Sequence, residues 1–242
     1  MVWAVSSGLL AVTFDVPNPA QEARFWAAML ARDVIETSLG LLLPGDDEQV
    51  GLRFGPGGST KTGANRMHLH LTSTSDLDQQ QTVAKAIRLG ARHIDVGQRA
   101  DEGHVVCADP GGIEFCVIEP NNAFLAGCGF LGELACDGNR EVGLFWSEAL
   151  GWPLVWDQDQ ETAIQHQHAG TKIAWGGPQV APRVAGTTQR FDLTCTEGDR
   201  TSEIERLISL GASSARISDA GDRLVTLADT DGNDFRLLMD PE

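Results

Sequence analysis

Asp109-Pro-Gly-Gly-Ile-Glu-Phe-Cys-Val-Ile-Glu-Pro120 and Asp229-Thr-Asp-Gly-Asn-Asp-Phe-Arg-Leu-Leu-Met-Asp240 are one element written twice in this chain. Each reads as a tight turn feeding a strand: Asp with a following Gly supplies the turn, and the alternating run behind it predicts a half-buried β-strand. Successive strand side chains point to opposite faces. Phe115, Val117, Phe235 and Leu237 therefore take one face, and Glu114, Cys116, Asp234 and Arg236 the other. Polar groups on the inner wall of a sheet are the first candidates for a site.

Working outward, Phe25-Trp26-x-x-x-Leu30 recurs as Phe145-Trp146-x-x-x-Leu150, at the same 120-residue offset as the Asp turn. Leu89-Gly90-Ala91 recurs as Leu210-Gly211-Ala212 at an offset of 121. Three landmarks in register mark a tandem duplication. Its seam falls near Asn121–Gly127, and the expected domains are 1–120 and 128–242, each within the usual ~100–200 residues.

Each half divides again. Strand Leu9–Asp15 precedes a helix that Asn18-Pro19 caps and opens, with Ala23, Trp26, Ala27 and Leu30 on its stripe. Strands at Val34–Leu43 and Val50–Phe54 complete a first unit. Strand Arg66–Leu71, helix Ser75–Gly90, and strands Arg92–Val96, His104–Ala108 and Ile113–Ile118 make a second. The other half repeats the order: strand Phe130–Ala135, a helix burying Val142, Phe145, Trp146, Ala149 and Leu150, then strands Leu154–Trp156, Ala163–His168 and Lys172–Trp175. Strand Arg190–Cys195, a helix opened by a capping box at Ser202, and strands Leu224–Ala228 and Asp234–Met239 close the chain. The fold class is α+β, with four βαβββ modules in two pairs.

Bulk properties narrow the function. A formal net charge of −16 repels phosphate backbones and anionic lipid, so neither nucleic acid nor a membrane is expected as partner. No apolar run nears the ~20 residues of a membrane helix. The N-terminus lacks the basic stretch of a secretory signal, which places the protein in the cytosol. Five cysteines without a CxxC pair are expected reduced. No Gly-x-Ser-x-Gly, phosphate loop or GxGxxG signature is present.

Paired βαβββ units with Phe-Trp-x-x-x-Leu on the first helix, Leu-Gly-Ala ending the second and a closing Asp-Pro-x-Gly turn resemble the vicinal oxygen chelate superfamily. Arg66-Met-His-Leu-His-Leu71 and Gly-x-Glu-Phe-Cys-Val resemble its glyoxalase-like branch. The resemblance implies eight-stranded cups built from two units, holding a ligand or a divalent metal on the first and last strands of each unit. The sequence leaves open whether the halves pair with each other to complete the cups, and whether the chain is a monomer or a homodimer.

Carried onto this chain, those positions fall on Ala11, Arg53, His68 and Cys116 in the first half. His68 is the candidate metal ligand, with His70, Glu114 or Cys116 as companions; the competing reading hydrogen-bonds His70 to Glu114. In the second half they fall on Leu131, Arg190 and Arg236, with Asp192 and Asp234 beside the arginines. That half is expected to be metal-free, either an anion-binding pocket or a salt-bridge network in which Glu133, Asp192 and Asp234 pair with Arg190 and Arg236. His166 and His168 share a strand face without a third ligand. Trp152, Trp156 and Trp175 are aromatic-wall candidates.

The expected function is binding of a small organic molecule in the N-terminal cup, with lyase or isomerase chemistry in which Glu114 or His70 acts as general base and takes a proton from the substrate. The alternative is a non-catalytic protein that sequesters a drug or metabolite. A metal-dependent dioxygenase is disfavoured, because the usual two-histidine, one-glutamate positions are not filled.

Overall fold

The computed structural model describes residues 7–57, 65–97, 99, 102–176, 189–195, 199–217 and 224–239. Four βαβββ units follow one another. The first is β1 (Ser7–Val16), α1 (Pro19–Leu30), β2 (Ile35–Thr37), β3 (Gly40–Leu43) and β4 (Gly51–Pro56). The second is β5 (Met67–Leu71), α2 (Asp76–Arg88), β6 (Arg92–His93), β7 (Val105–Ala108) and β8 (Glu114–Val117). The third is β9 (Leu131–Asp137), α3 (Arg140–Leu150), β10 (Leu154–Gln158), β11 (Glu161–Gln165) and β12 (Lys172–Gly176). The fourth is β13 (Gln189–Cys195), α4 (Arg200–Ser209), β14 (Ser213–Ile217), β15 (Leu224–Ala228) and β16 (Asp234–Met239). None of these helices is long and apolar enough to cross a membrane.

Local chemistry explains most boundaries. Asn18 accepts from the N–H of Gln21 with Pro19 at the first helical position, Ser75 from Asp78, and Asn139 from Val142. The expected capping box at Ser202 is not the start of α4. The helix begins a turn earlier, after Asp199, and the Ser202 hydroxyl donates back to the Asp199 carbonyl at 2.8 Å. The stretch expected as one strand at Val34–Leu43 is a hairpin, turning at Ser38-Leu39, with Gly40 opening β3 at φ +124°. His166 and His168 lie past the end of β11, where a turn replaces the expected strand.

The two repeated stretches lock the halves in the same way. Asp109 is fully buried, and its carboxylate accepts from the N–H groups of Gly111 (3.1 Å) and Ile113 (2.7 Å) and from the Trp26 indole (2.8 Å). Asp229 accepts from Asp231, Asn233 and, at 3.2 Å, the Trp146 indole. Behind each turn a phenylalanine meets the same tryptophan edge-on, Phe115 at 5.3 Å from Trp26 and Phe235 at 5.0 Å from Trp146. The Phe-Trp helix and the Asp turn, distant in sequence, are thus one packing unit.

The sheets, by contrast, cross between the halves. One, sheet A, runs β14-β15-β16-β13-β1-β4-β3-β2; the other, sheet B, runs β10-β11-β12-β9-β5-β8-β7-β6. Antiparallel pairing of β1 with β13 joins units one and four, and that of β5 with β9 joins units two and three. The pairing that the sequence left open is thereby decided, and each of the two cups takes one unit from each half. The reason is geometric. Within a half, α1 spends the apolar faces of both units on a shared core, with Phe25 and Trp26 on Phe115, so the strand edges of β1 and β5 are left to find hydrogen-bonding partners elsewhere.

One core position differs between the repeats. Glu22 on α1 is 1% exposed against Asp109, where the second half has the fully buried Val142. Burial, then the charge of Asp109 and a hydrogen bond with it, push the Glu22 pKa from the ordinary 4.5 to about 8, partly offset by the Gly111 N–H. Asp109 is raised too, mainly by burial. A carboxyl whose pKa rises on folding stabilises fully below its unfolded value and loses that contribution as pH rises through its folded one. Stability is expected to fall between pH 5 and 8 by on the order of 1 kcal/mol per pH unit. In Glu22→Val that slope should flatten, as chemical denaturation at several pH values would show.

Candidate functional site

The concave face of sheet B carries a row of four side chains. Strand register places Cys116 of β8 beside His70 of β5, His70 beside Glu133 of β9, and Glu133 beside Lys172 of β12. His70 Nδ1 lies 2.7 Å from Glu133 Oε2, and the Cys116 thiol is its other hydrogen-bond partner. Burial alone would pull the imidazole down; the hydrogen bonds to Cys116 and Glu133 and their charge outweigh it and raise the pKa from 6.5 to about 10. These partners hold the His70 ring toward its protonated form.

The next row along β5 is separate. His68 Nε2 donates to the Asn65 carbonyl at 2.6 Å and stands 3.4 Å from Glu114, which accepts from the Asn65 N–H at 3.2 Å. His68 and Glu114 are together, and His70 and Cys116 are together, but the four do not converge. Glu133 of the second half, expected across from the arginines, is instead the partner of His70. Leu131, expected at the ligand position of β9, is fully buried in the core, and Glu133 holds the cup position.

The segment at the seam closes part of this cup. Leu125 packs with Val106, Cys116 and Ile118, joined by Phe124 and Cys128. Lys172 Nζ donates to the Phe124 carbonyl and lies 4.5 Å from the centre of its ring. Phe124 in turn meets Trp156 edge-on at 6.1 Å. What stays open is a cavity of about 790 Å³ over β9 and β12, walled by Phe124 and Trp156, with His68, Glu133 and Lys172 on its floor; the ring of Trp175, expected as a wall, turns to the core against Phe191. Trp152 belongs elsewhere, 5.5 Å from the His166 ring.

Sheet A carries charge in the corresponding place. Arg53 Nη1 donates to Asp192 Oδ2, which also accepts from Thr13 Oγ1 at 2.6 Å. Arg190 holds Asp15 through two parallel bonds of 2.6 and 2.7 Å. Arg236 is the register partner of Asp192.

A family model for the glyoxalase-like domain matches residues 11–118 and again 133–238. The chain belongs to the glyoxalase-like family. Among solved structures, glyoxalase I of Zea mays superposes with a TM-score of 0.67 at 12% identity, over 97% of this chain and 92% of that one. A putative dioxygenase of Bacillus subtilis subsp. subtilis str. 168 superposes at 0.60 and 12%, over 97% and 86%. At such identities the likeness is one of fold. None of the curated proteins matches the chain.

The divalent metal implied by this family does not fit the residues present. Among the described residues no three His, Cys, Asp or Glu side chains are grouped to hold an ion. His68 spends Nε2–H on a carbonyl, His70 is held between Glu133 and Cys116, and the fourth position of the row is a lysine.

Sequence reading missed Thr13, Asp15, Phe124 and Lys172. The alternation Lys172-Ile-Ala174-Trp-Gly176 was the available signal for the lysine. Because His70 is raised by its partners, its pairing contributes fully below about pH 6.5 and fades as pH climbs through about 10. Glu133→Gln is expected to lower the His70 pKa by at least roughly one unit, read from the ring-proton NMR titration.

Proposed function

We propose that this glyoxalase-like protein binds a small organic molecule in the cup of sheet B, in the manner of a sequestering protein. The carrying observation is the cavity of about 790 Å³, within the ~300–1,000 Å³ typical of small-molecule sites, with aromatic walls and few polar groups on its floor. Trp156, 39% exposed, offers a ring face to a flat apolar body. Glu133 and Lys172 sit side by side on the floor and suit a polar head group with both donor and acceptor atoms.

Proton abstraction has less support. A base must be unprotonated when substrate arrives, and His70 carries its proton to about pH 10. Glu114 is engaged by the Asn65 N–H and stands beside His68, away from the cavity wall.

A thermal-shift screen of small aromatic compounds against wild type, Trp156→Ala and Ala174→Trp tests this reading. Ala174 lines the cavity from β12, so a tryptophan there fills it. Compounds that raise the wild-type Tm are expected to bind roughly tenfold more weakly to Trp156→Ala and to lose their effect in Ala174→Trp. Equal shifts in Ala174→Trp would place binding elsewhere and sink the proposal.

A further inference from the structure

The cup of sheet A holds a guanidinium that makes no hydrogen bond or ion pair among the described residues. Arg236 projects from β16 onto the same face as Asp192, Arg53 and Arg190. Arg53 is 2% exposed and Arg190 7%, and both spend their terminal nitrogens on Asp192 and Asp15. No hydrogen bond or ion pair reaches the Arg236 guanidinium among the described residues. Its pKa is depressed, first by desolvation and then by the charge of Arg190, with Arg53 acting in the same sense and Asp192 and Asp15 opposing. Around it, Arg53 Nε, Arg190 Nε and Asp192 Oδ1 are buried without a partner, the last two 3.8 Å apart.

Arg236 is half-buried beside two other guanidiniums that repel it, and it makes no hydrogen bond of its own among the described residues, which leaves its fork open to a ligand. Sheet B has Cys116 at the register position equivalent to Arg236, so the fold itself does not require an arginine there.

We propose that Arg236 anchors a second binding site, in the cup of sheet A, for a small organic molecule carrying a carboxylate. Charge and shape choose the carboxylate. Among the described residues three guanidiniums face Asp15 and Asp192, one cation more than the two aspartates balance; Asp234, one pleat away on β16, is engaged by another group. One planar fork with one residual charge matches a planar monoanion. A phosphate dianion would exceed that charge and bring its excess against Asp192 and Asp234. The site is independent of the cavity in sheet B.

Benzoate is the probe, with benzamide as its uncharged twin and inorganic phosphate as the competing anion. Titration by thermal shift and calorimetry would compare wild type, Arg236→Gln and Arg236→Lys, each also made in an Ala174→Trp background that fills the cavity of the other cup. Expected is saturable benzoate binding that benzamide does not reproduce and that persists in Ala174→Trp. Arg236→Gln should weaken it roughly ten- to hundredfold, and Arg236→Lys less. Without ligand, Arg236→Gln should fold with an equal or higher Tm, since a half-buried charge repelled by Arg190 and Arg53 is removed. A lower Tm together with unchanged benzoate binding would make Arg236 a structural ion and overturn the site. No saturable binding to wild type would overturn it as well, and tighter binding of phosphate than of benzoate would overturn the carboxylate assignment.

Discussion

A buried aspartate that accepts from a tryptophan indole is the contact on which the rest of this molecule is arranged. In each half the carboxylate, Asp109 or Asp229, does two jobs with one set of lone pairs. It closes the turn by taking N–H groups two and four residues ahead, and it receives the indole of Trp26 or Trp146 from a helix in the other unit of the same half. An uncompensated buried carboxylate would be costly, so turn and helix are bound to form together. Because the bond runs from the helix side, it fastens the backs of two sheets and says nothing about their edges. The edges then pair across the halves, β1 with β13 and β5 with β9, so that neither half can close a cup alone.

Duplication followed by crossed pairing sets the two cups up as equivalents, and the side chains then make them different. Sheet B keeps a half-apolar bowl, a cation and a carboxylate on its floor, and a plug contributed by the seam between the halves. Sheet A lines its bowl with three arginines, two of them paired with Asp192 and Asp15. Among the described residues neither cup groups three ligating side chains, and a lysine and an arginine stand on the last strands of units three and four. The seam is the less obvious feature. It reads as a linker, yet Leu125 and Phe124 bury Cys116 and confine the cavity to the part of the cup over β9 and β12.

Legibility followed the range of the physics involved. Turns and caps depend on residues within a few positions, so the Asp109 and Asp229 turns, the caps at Asn18 and the closing strands Leu224–Ala228 and Asp234–Met239 stood where alternation and turn chemistry put them. The faces of β8 and β16 were also readable, since alternation alone sorts Phe115 from Cys116 and Phe235 from Arg236. Where a helix start offers two hydroxyl or carboxylate candidates, as before α4, local rules do not choose between them. Positions such as Ala163–His168 failed for a similar reason: a polar alternation continues past the point where the partner strand ends.

The site was legible as a set of side chains and illegible as a set of pairs. His68, His70, Glu114, Cys116, Arg190, Asp192, Asp234 and Arg236 are visible as polar residues on inward strand faces, because the side-chain period of a strand is two. Which of them meet depends on which strands are neighbours, a matter of edge pairing between units far apart in the chain. By itself the sequence determined the duplication, the four units, their inner and outer faces and the family. Only the tertiary structure decided that His70 answers to Glu133, that the arginines gather around Asp192 and Asp15, and that the seam covers a cup, since hydrogen-bonded edges join wherever the packed cores leave them and carry no local signature.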